Sequence, residues 1–268
     1  MRKTAILCLL FLAAPFAASA QGTTNDLETD FGGRMSVTLD KKLAKGWHVT
    51  ATGEARFEDN LSGFGRYQAE LGMSYKINRT FKVGIGYTLI QKKNSSDVWK
   101  TRHRLSVSGQ ASFRSGDWRF SLKETLRYTH RANSGNYQNT PNSLSLKSRF
   151  KVAYKASRNI TPYGYVELRN VFNDPAFNAI WSTTDEAYCT YDGSFSFKGY
   201  TDSYFNRVRT AFGVEFELSK KHSIDVFVMG DYCYDKNIDT KKNGTRLKSL
   251  TYDQALNFGL GVAYTISF

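Results

Sequence analysis

The chain ends Leu256-Asn257-Phe258-Gly259-Leu260-Gly261-Val262-Ala263-Tyr264-Thr265-Ile266-Ser267-Phe268. Large apolar side chains alternate with small or polar ones up to the last residue. A period of two places one set on each face of a β-strand. Strands that are apolar on one face and polar on the other, repeated through a chain, are the pattern of a membrane-spanning β-barrel, because in hydrocarbon only a closed sheet pairs all its backbone groups. The expected fold is therefore all-β, a transmembrane antiparallel β-barrel of roughly ten to twelve strands.

The other end reads differently. Arg2 and Lys3 precede an apolar run from Ala5 to Ala14, and Ala18-Ser19-Ala20 stands before Gln21. A basic start, a short apolar stretch and small residues at a cleavage point make a secretory signal. The run is shorter than the roughly 20 residues a spanning helix requires. Residues 1–20 are thus expected to be a cleaved signal peptide, exported through the general secretory route, and residues 21–268 one barrel domain. Cys8 lies inside the signal, too close to the start for a lipid-anchor site.

Beyond Phe31 the chain repeats one unit: an alternating run, a tight polar turn, another alternating run, a longer loop. Runs cover about 31–41, 46–58, 64–77, 80–92, 99–114, 117–131, 143–156, 159–172, 203–219, 222–235 and 253–268. The short turns lie near residues 42–45, 78–79, 115–116, 157–158 and 219–221; the loops at 59–63, 93–98, 132–142, 173–202 and 236–252 are mostly longer. Short periplasmic turns opposite long extracellular loops are the asymmetry of outer-membrane barrels. Eleven runs is an odd number, whereas bacterial single-chain barrels have even ones. The sequence offers three remedies: an extra strand within 22–28, a first run outside the wall, or a misplaced strand boundary.

The chain carries 37 Lys and Arg against 24 Asp and Glu, which leaves +11 once Arg2 and Lys3 are removed. The basic residues stand singly along strands and not in runs, which argues against a nucleic-acid surface. A lipid-facing Arg or Lys at the bilayer midplane costs about 2–4 kcal/mol, so the charged parity of each strand must face the lumen. This assigns Arg102, Arg104, Arg127, Lys147, Arg149, Lys151, Arg207 and Arg209 to the lumen, with Glu54, Glu70 and Glu215 among them. Interleaved guanidinium and carboxylate groups would fill a barrel of this size. The first functional expectation is accordingly a structural or ligand-binding barrel with a largely plugged lumen. A small anion-preferring diffusion channel is the alternative. Glu124 departs from the pattern, since Leu122, Leu126 and Tyr128 share its parity, and a bulge is expected to turn it inward.

Chemistry has few other footholds. Outer-membrane lipid hydrolases and acyltransferases place Ser and His at the outer rim, and Tyr128-Thr129-His130-Arg131-Ala132-Asn133-Ser134-Gly135 distantly resembles the His-x-Ser-Asn-Gly stretch of the outer-membrane phospholipase A family. His130 and Ser134 are the catalytic candidates, but Ala132 occupies the position where that family has its Ser. No histidine pair has metal-ligand spacing and no cofactor motif is present. Cys189 and Cys233, the two cysteines after the signal, are a candidate disulfide in an exported chain. The aromatic loop 173–202 is expected to carry the functional surface.

Asp30-Phe31-Gly32, the Lys-rich turn between Leu39 and Trp47, Glu54-Ala55-Arg56-Phe57 before Asp59-Asn60, Arg66-Tyr67 and Gly84-Ile85-Gly86-Tyr87 together resemble an uncharacterised Gram-negative outer-membrane β-barrel family of unknown function. Tyr264, Ile266 and Phe268 look like the terminal signal read by the barrel assembly machinery. The resemblance implies the barrel fold and a bacterial outer-membrane location; the chain is separately expected to be a monomer, with outer-membrane lipid and the assembly machinery as partners. It supplies no activity.

Overall fold

The structure is a computed structural model, and it describes residues 27–93, 97–131, 140–177, 179–182, 187–190, 197–241 and 246–268. The signal segment and its cleavage point lie outside these residues.

Each alternating run forms a strand. In chain order these are β1 (Glu28–Ala44), β2 (Trp47–Glu58), β3 (Gly63–Lys76), β4 (Phe81–Lys93), β5 (Trp99–Ser115), β6 (Trp118–Arg131), β7 (Asn142–Tyr154), β8 (Ile160–Asp174), β9 (Ala179–Ser182), β10 (Ala187–Thr190), β11 (Asp202–Glu217), β12 (His222–Lys241) and β13 (Arg246–Ser267). β9 and β10 make a separate two-stranded hairpin within the loop after β8. The other eleven strands form one closed barrel in the cyclic order β1-β13-β12-β11-β8-β7-β6-β5-β4-β3-β2.

The odd strand count is real: the first run joins the wall, the eleven runs are eleven separate wall strands, and residues 22–26 lie outside the described residues. β1 pairs with β13 in parallel, in unbroken register from Glu28↔Ala255 to Asp40↔Ser267. All other neighbours in the wall are antiparallel. The barrel is therefore mixed and not purely antiparallel, with one parallel seam. An even strand number closes a meander with antiparallel pairs throughout; an odd one brings the first and last strands together pointing the same way. β1 consequently starts at the long-loop end, beside the extended part of β13. Residues 236–252, expected as a loop, are mostly strand: β12 and β13 stay paired out to Lys241↔Arg246.

The two faces sort as the hydrocarbon boundary demands. Val83, Ile85, Tyr87 and Leu89 of β4, Leu105 and Val107 of β5, and Phe258, Leu260 and Val262 of β13 are exposed on the outside. Aromatic side chains gather at the strand ends: Trp47 packs on Tyr75 and Trp118 on Tyr154 at the short-turn end, while Phe64, Tyr67 and Trp99 cluster at the other. Such belts suit the headgroup boundary, where the ring is apolar and its edge polar. Tyr264, Ile266 and Phe268 finish β13 at the short-turn end, where the Tyr264 hydroxyl lies 2.7 Å from Nδ1 of His222.

Glu124 does not turn inward. β6 pairs with β5 and β7 without any register shift, so Glu124 keeps the outward parity of Leu122 and Leu126, opposite Gly109 and Ser148. The Ser148 hydroxyl donates to its carboxylate at 2.5 Å. That bond, together with the side-chain-free surface at Gly109, takes the place of the expected bulge. Midway between Trp118 and Tyr128 on its strand, this acid faces the apolar layer. Replacing it with Leu removes a group that hydrocarbon disfavours, and Glu124→Leu is expected to stabilise the barrel by up to about 2 kcal/mol. Reversible urea unfolding in phospholipid vesicles measures this; a loss of stability would show that the carboxylate has a partner worth more than its burial costs.

Candidate functional site

The lumen holds two cavities in series. The first, of about 410 Å³, is lined by twelve Lys and Arg side chains and only three acids, Glu54, Glu70 and Glu167. The second, about 710 Å³, opens toward the long-loop end beside the seam and is lined by six acids, among them Asp30, Glu58 and Asp231, and four cations. Arg34, Arg56 and Arg207 line both. The pleat accounts for the composition, because inward positions on β3 to β7 carry Arg66, Gln68, Glu70; Lys82, Thr88; Arg104, Ser106; Lys123, Arg127; Lys147, Arg149.

The charges are not evenly compensated around the wall. On the β7–β8 arc, Glu167 accepts from Arg149 Nε at 2.7 Å and Lys147 Nζ at 2.9 Å. On β11 and β12, Asp231 receives the forked guanidinium of Arg209, with Nη2 at 2.6 Å, and Arg34 Nη2 at 3.4 Å. Glu54 takes Arg56 beside it on β2. Asp225 is held by the Tyr163 hydroxyl at 2.8 Å. The aromatic rings on this side lie flat over glycines: a Cβ on Gly261 would stand 2.1 Å from the ring of Phe227, and one on Gly213 2.6 Å from the Tyr163 hydroxyl. Only glycine lets those rings reach the wall.

The β3–β5 arc is different. Arg66 donates Nη2 to Gln68 at 2.5 Å, Arg104 donates Nε to the Thr129 hydroxyl at 3.1 Å, and neither meets a carboxylate. Buried Nε atoms of Arg66, Arg102 and, across the lumen, Arg207 have no acceptor among the described residues. Lys82 and Lys123 face the first cavity and join no salt bridge among the described residues. The lumen is thus ion-paired on one side and cation-rich on the other, where the one carboxylate lining the first cavity from this arc, Glu70, accepts from the Thr88 hydroxyl at 3.2 Å.

Of the residues singled out in the sequence, Arg104, Arg127, Lys147, Arg149, Arg207, Arg209, Glu54 and Glu70 line the first cavity. Arg102 lies across from Ile90 and Arg131 on the same parity, Lys151 stands 3.6 Å above the ring of Tyr163, and Glu215 sits opposite Asp225. His130 faces outward with Nδ1 2.8 Å from the Asn142 side-chain oxygen. Ser134 lies outside the described residues. Cys233 is a free, buried thiol whose sulfur accepts from the Asn257 amide at 3.8 Å; the Cys189 side chain lies outside what is described.

The aromatic loop is fastened at its root. Lys236, only 3% exposed in its side chain, donates Nζ to the Pro175 carbonyl at 2.7 Å and to Asp202, with Asp174 at 3.5 Å. Lys236 shares the outward parity of Tyr232 on β12, so this clamp grips the rim from the side; Phe177 and Phe197 close the loop's base. Sequence reading missed Lys236 because it had been placed in a loop, and it missed the role of Asp231 because partners 22 and 197 residues away are visible only in the closed wall.

A family model described as a protein of unknown function, DUF2490, matches residues 32–242, most of the barrel. The chain belongs to this family. No curated protein matches it. Among solved structures the barrel is similar to the NanC porin, at 13% identity and a TM-score of 0.42 over 83% of this chain and 95% of that one. It is also similar to OmpT of the Vibrio cholerae outer membrane, at 13% identity and a TM-score of 0.37 over 81% and 63% of the two chains. A bacterial polysaccharide outer membrane secretin follows at 10% identity and a TM-score of 0.33, over 78% and 73%.

The Arg209–Asp231 pair is the most buried ionic contact of the wall, with side chains 6% and 8% exposed. Asp231→Asn would leave Arg209, Arg34 and Arg207 facing one another without their shared carboxylate. A loss of about 3–5 kcal/mol is expected, the usual cost of removing one partner from a buried pair. Urea unfolding of the refolded protein in vesicles measures it; a change below about 1 kcal/mol would mean that water already screens the site.

Proposed function

We propose that this DUF2490 barrel is an outer-membrane protein whose lumen passes small anions. It is exported by the secretory route, inserted by the barrel assembly machinery and surrounded by outer-membrane lipid. The observation that carries the reading is the lining of the first cavity, twelve cations against three acids. In a narrow space with low-dielectric walls such an excess raises the local concentration of anions and repels cations. The cations on β3 to β6 are set directly on the wall, on inward positions of paired strands, and so hold their places without a mobile loop.

A closed structural barrel is the second reading. It is favoured by the rings of Phe227 and Tyr163 lying against Gly261 and Gly213, and by the paired carboxylates of Glu167 and Asp231, which fill one side of the lumen. The cationic arc is what this reading leaves unexplained. A buried charge without a partner is costly, and a barrel with a purely structural interior would gain by matching it.

Planar-bilayer recording of the refolded full chain decides between them. The account expects steady openings whose reversal potential in a KCl gradient shows chloride preference, and a clear drop in that preference for Lys82→Gln/Lys123→Gln. Absence of openings, with insertion verified by heat-modifiable gel mobility, rejects the pore in favour of the closed barrel.

A further inference from the structure

The lumen changes character where its two cavities meet. Arg34 and Arg56, which line both, are each matched by a carboxylate, Asp231 and Glu54. The cations facing them are less well matched: Arg207 reaches Asp231 only at 3.9 Å, and Arg66, Lys92 and Arg102 join no salt bridge among the described residues. Arg66 on β3, Lys92 on β4 and Arg102 on β5 converge from three consecutive strands, with Arg66 directly opposite Lys92 and Arg102 opposite Ile90 in the register. β11, nearly halfway round the barrel, sends Arg207 toward them, and Lys92 lies close enough to feel its charge. The acid that Lys92 feels is Glu58.

Three features of this cluster point to a ligand. Nε of Arg66, of Arg102 and of Arg207 are each buried without an acceptor among the described residues, and the carboxylate nearest Arg207 there is Asp231 at 3.9 Å. Ile90, an inward-facing residue between them, is only 1% exposed, so the floor of the cluster is dry. Guanidinium groups are planar forks that meet oxyanions through paired N–H bonds, whereas a halide offers no such geometry. Glu58 stands near Lys92, Asp231 near Arg207 and Glu54 near Arg66, but Glu54 is already held by Arg56 and Asp231 by Arg209 and Arg34, so the four cations have no carboxylate of their own in close contact and keep an excess of positive charge for a bound anion.

We infer that the junction of the two cavities, lined by Arg66, Lys92 and Arg207 with Arg102 beside Lys92 on the next strand, is a saturable binding site for a divalent tetrahedral oxyanion such as phosphate or a phosphate ester. The inference rests on the lumen being an anion pathway and adds to it a point at which the solute is held. A free phosphate and a phosphorylated solute present the same group here, and the size of the second cavity, about 710 Å³, accommodates an attached organic part.

Calorimetric titration of the refolded full chain in detergent with inorganic phosphate tests the site independently of conduction, and glycerol phosphate in a parallel arm separates free phosphate from an ester. One saturable site is expected, with affinity at least tenfold lower in Arg66→Gln/Arg102→Gln and also lower in Arg207→Gln, which approaches from the opposite wall. Arg66→Lys/Arg102→Lys keeps the charge and loses the forks; its affinity is expected to fall as well, and heat-modifiable mobility verifies that each variant folds. In bilayers, phosphate is expected to reduce the wild-type chloride current. No heat of binding and no reduction of that current, in a barrel that opens, overturns the site and leaves the pore. Phosphate binding that the Gln variants lose, in a barrel that never opens, keeps the site and rejects the pore. Equal binding by wild type and all three variants overturns the assignment to these residues.

Discussion

Every backbone N–H and C=O in a hydrocarbon layer must find a partner within the protein, since no water is there to serve. The rest of this structure depends on that constraint. A sheet that spans such a layer must close, and eleven strands in meander order close only if the first and last run the same way. The parallel β1–β13 seam supplies that closure over thirteen residue pairs. Its price is geometric: β1 has to begin at the long-loop end, where Asp30 takes up the backbone N–H groups of Asp59 and Asn60 in the loop between β2 and β3.

Closure also decides where charge goes. Once the outer face must be apolar, the Lys, Arg, Asp and Glu on the stretches that cross the apolar layer are directed inward, Glu124 excepted, and a basic chain acquires a basic lumen. The acids are spent unequally. Asp231 and Glu167 each satisfy more than one cation on β7 to β13, so the arc from β3 to β6 is left with guanidinium and ammonium groups and few carboxylates. The electrostatic asymmetry of the lumen follows from which strand an acid happens to sit on, and the same uneven distribution produces both the tightly paired wall and the cation-rich one. Glu124 tests the rule from the other side: an acid on the lipid parity persists where a neighbouring hydroxyl and a bare glycine surface accommodate it.

Much of this architecture was legible in the chain itself. The period of two in residues 256–268 identifies the wall, and the eleven alternating runs correspond to the eleven wall strands. What periodicity reports is the face of each residue; it says nothing about the neighbouring strand. The parallel seam was therefore invisible, and an odd count looked like an error. The extended β12–β13 hairpin was read as loop because Lys236 to Tyr252 is polar, although the ladder of backbone bonds holds it as strand. The inward position of Arg66, Arg102 and Arg207 could be inferred from parity. That their Nε atoms lack acceptors while Arg209 and Arg34 converge on one carboxylate depends on side chains far apart in sequence, and no spacing rule carries that information.

Cross-linking across the seam is the most direct test, because the lumen, its two walls and the position of β1 all follow from it. In a chain with Cys189 and Cys233 replaced by Ser, Val37→Cys is combined with Tyr264→Cys, its partner in the parallel register. Paired β residues stand within the Cα separation a disulfide accepts. Rapid, near-complete intramolecular bond formation in the membrane-inserted protein is predicted, with none for Val37→Cys combined with Leu256→Cys, about 26 Å away along the strand. A disulfide in the second pair and not in the first would contradict the parallel closure, and with it the eleven-stranded barrel.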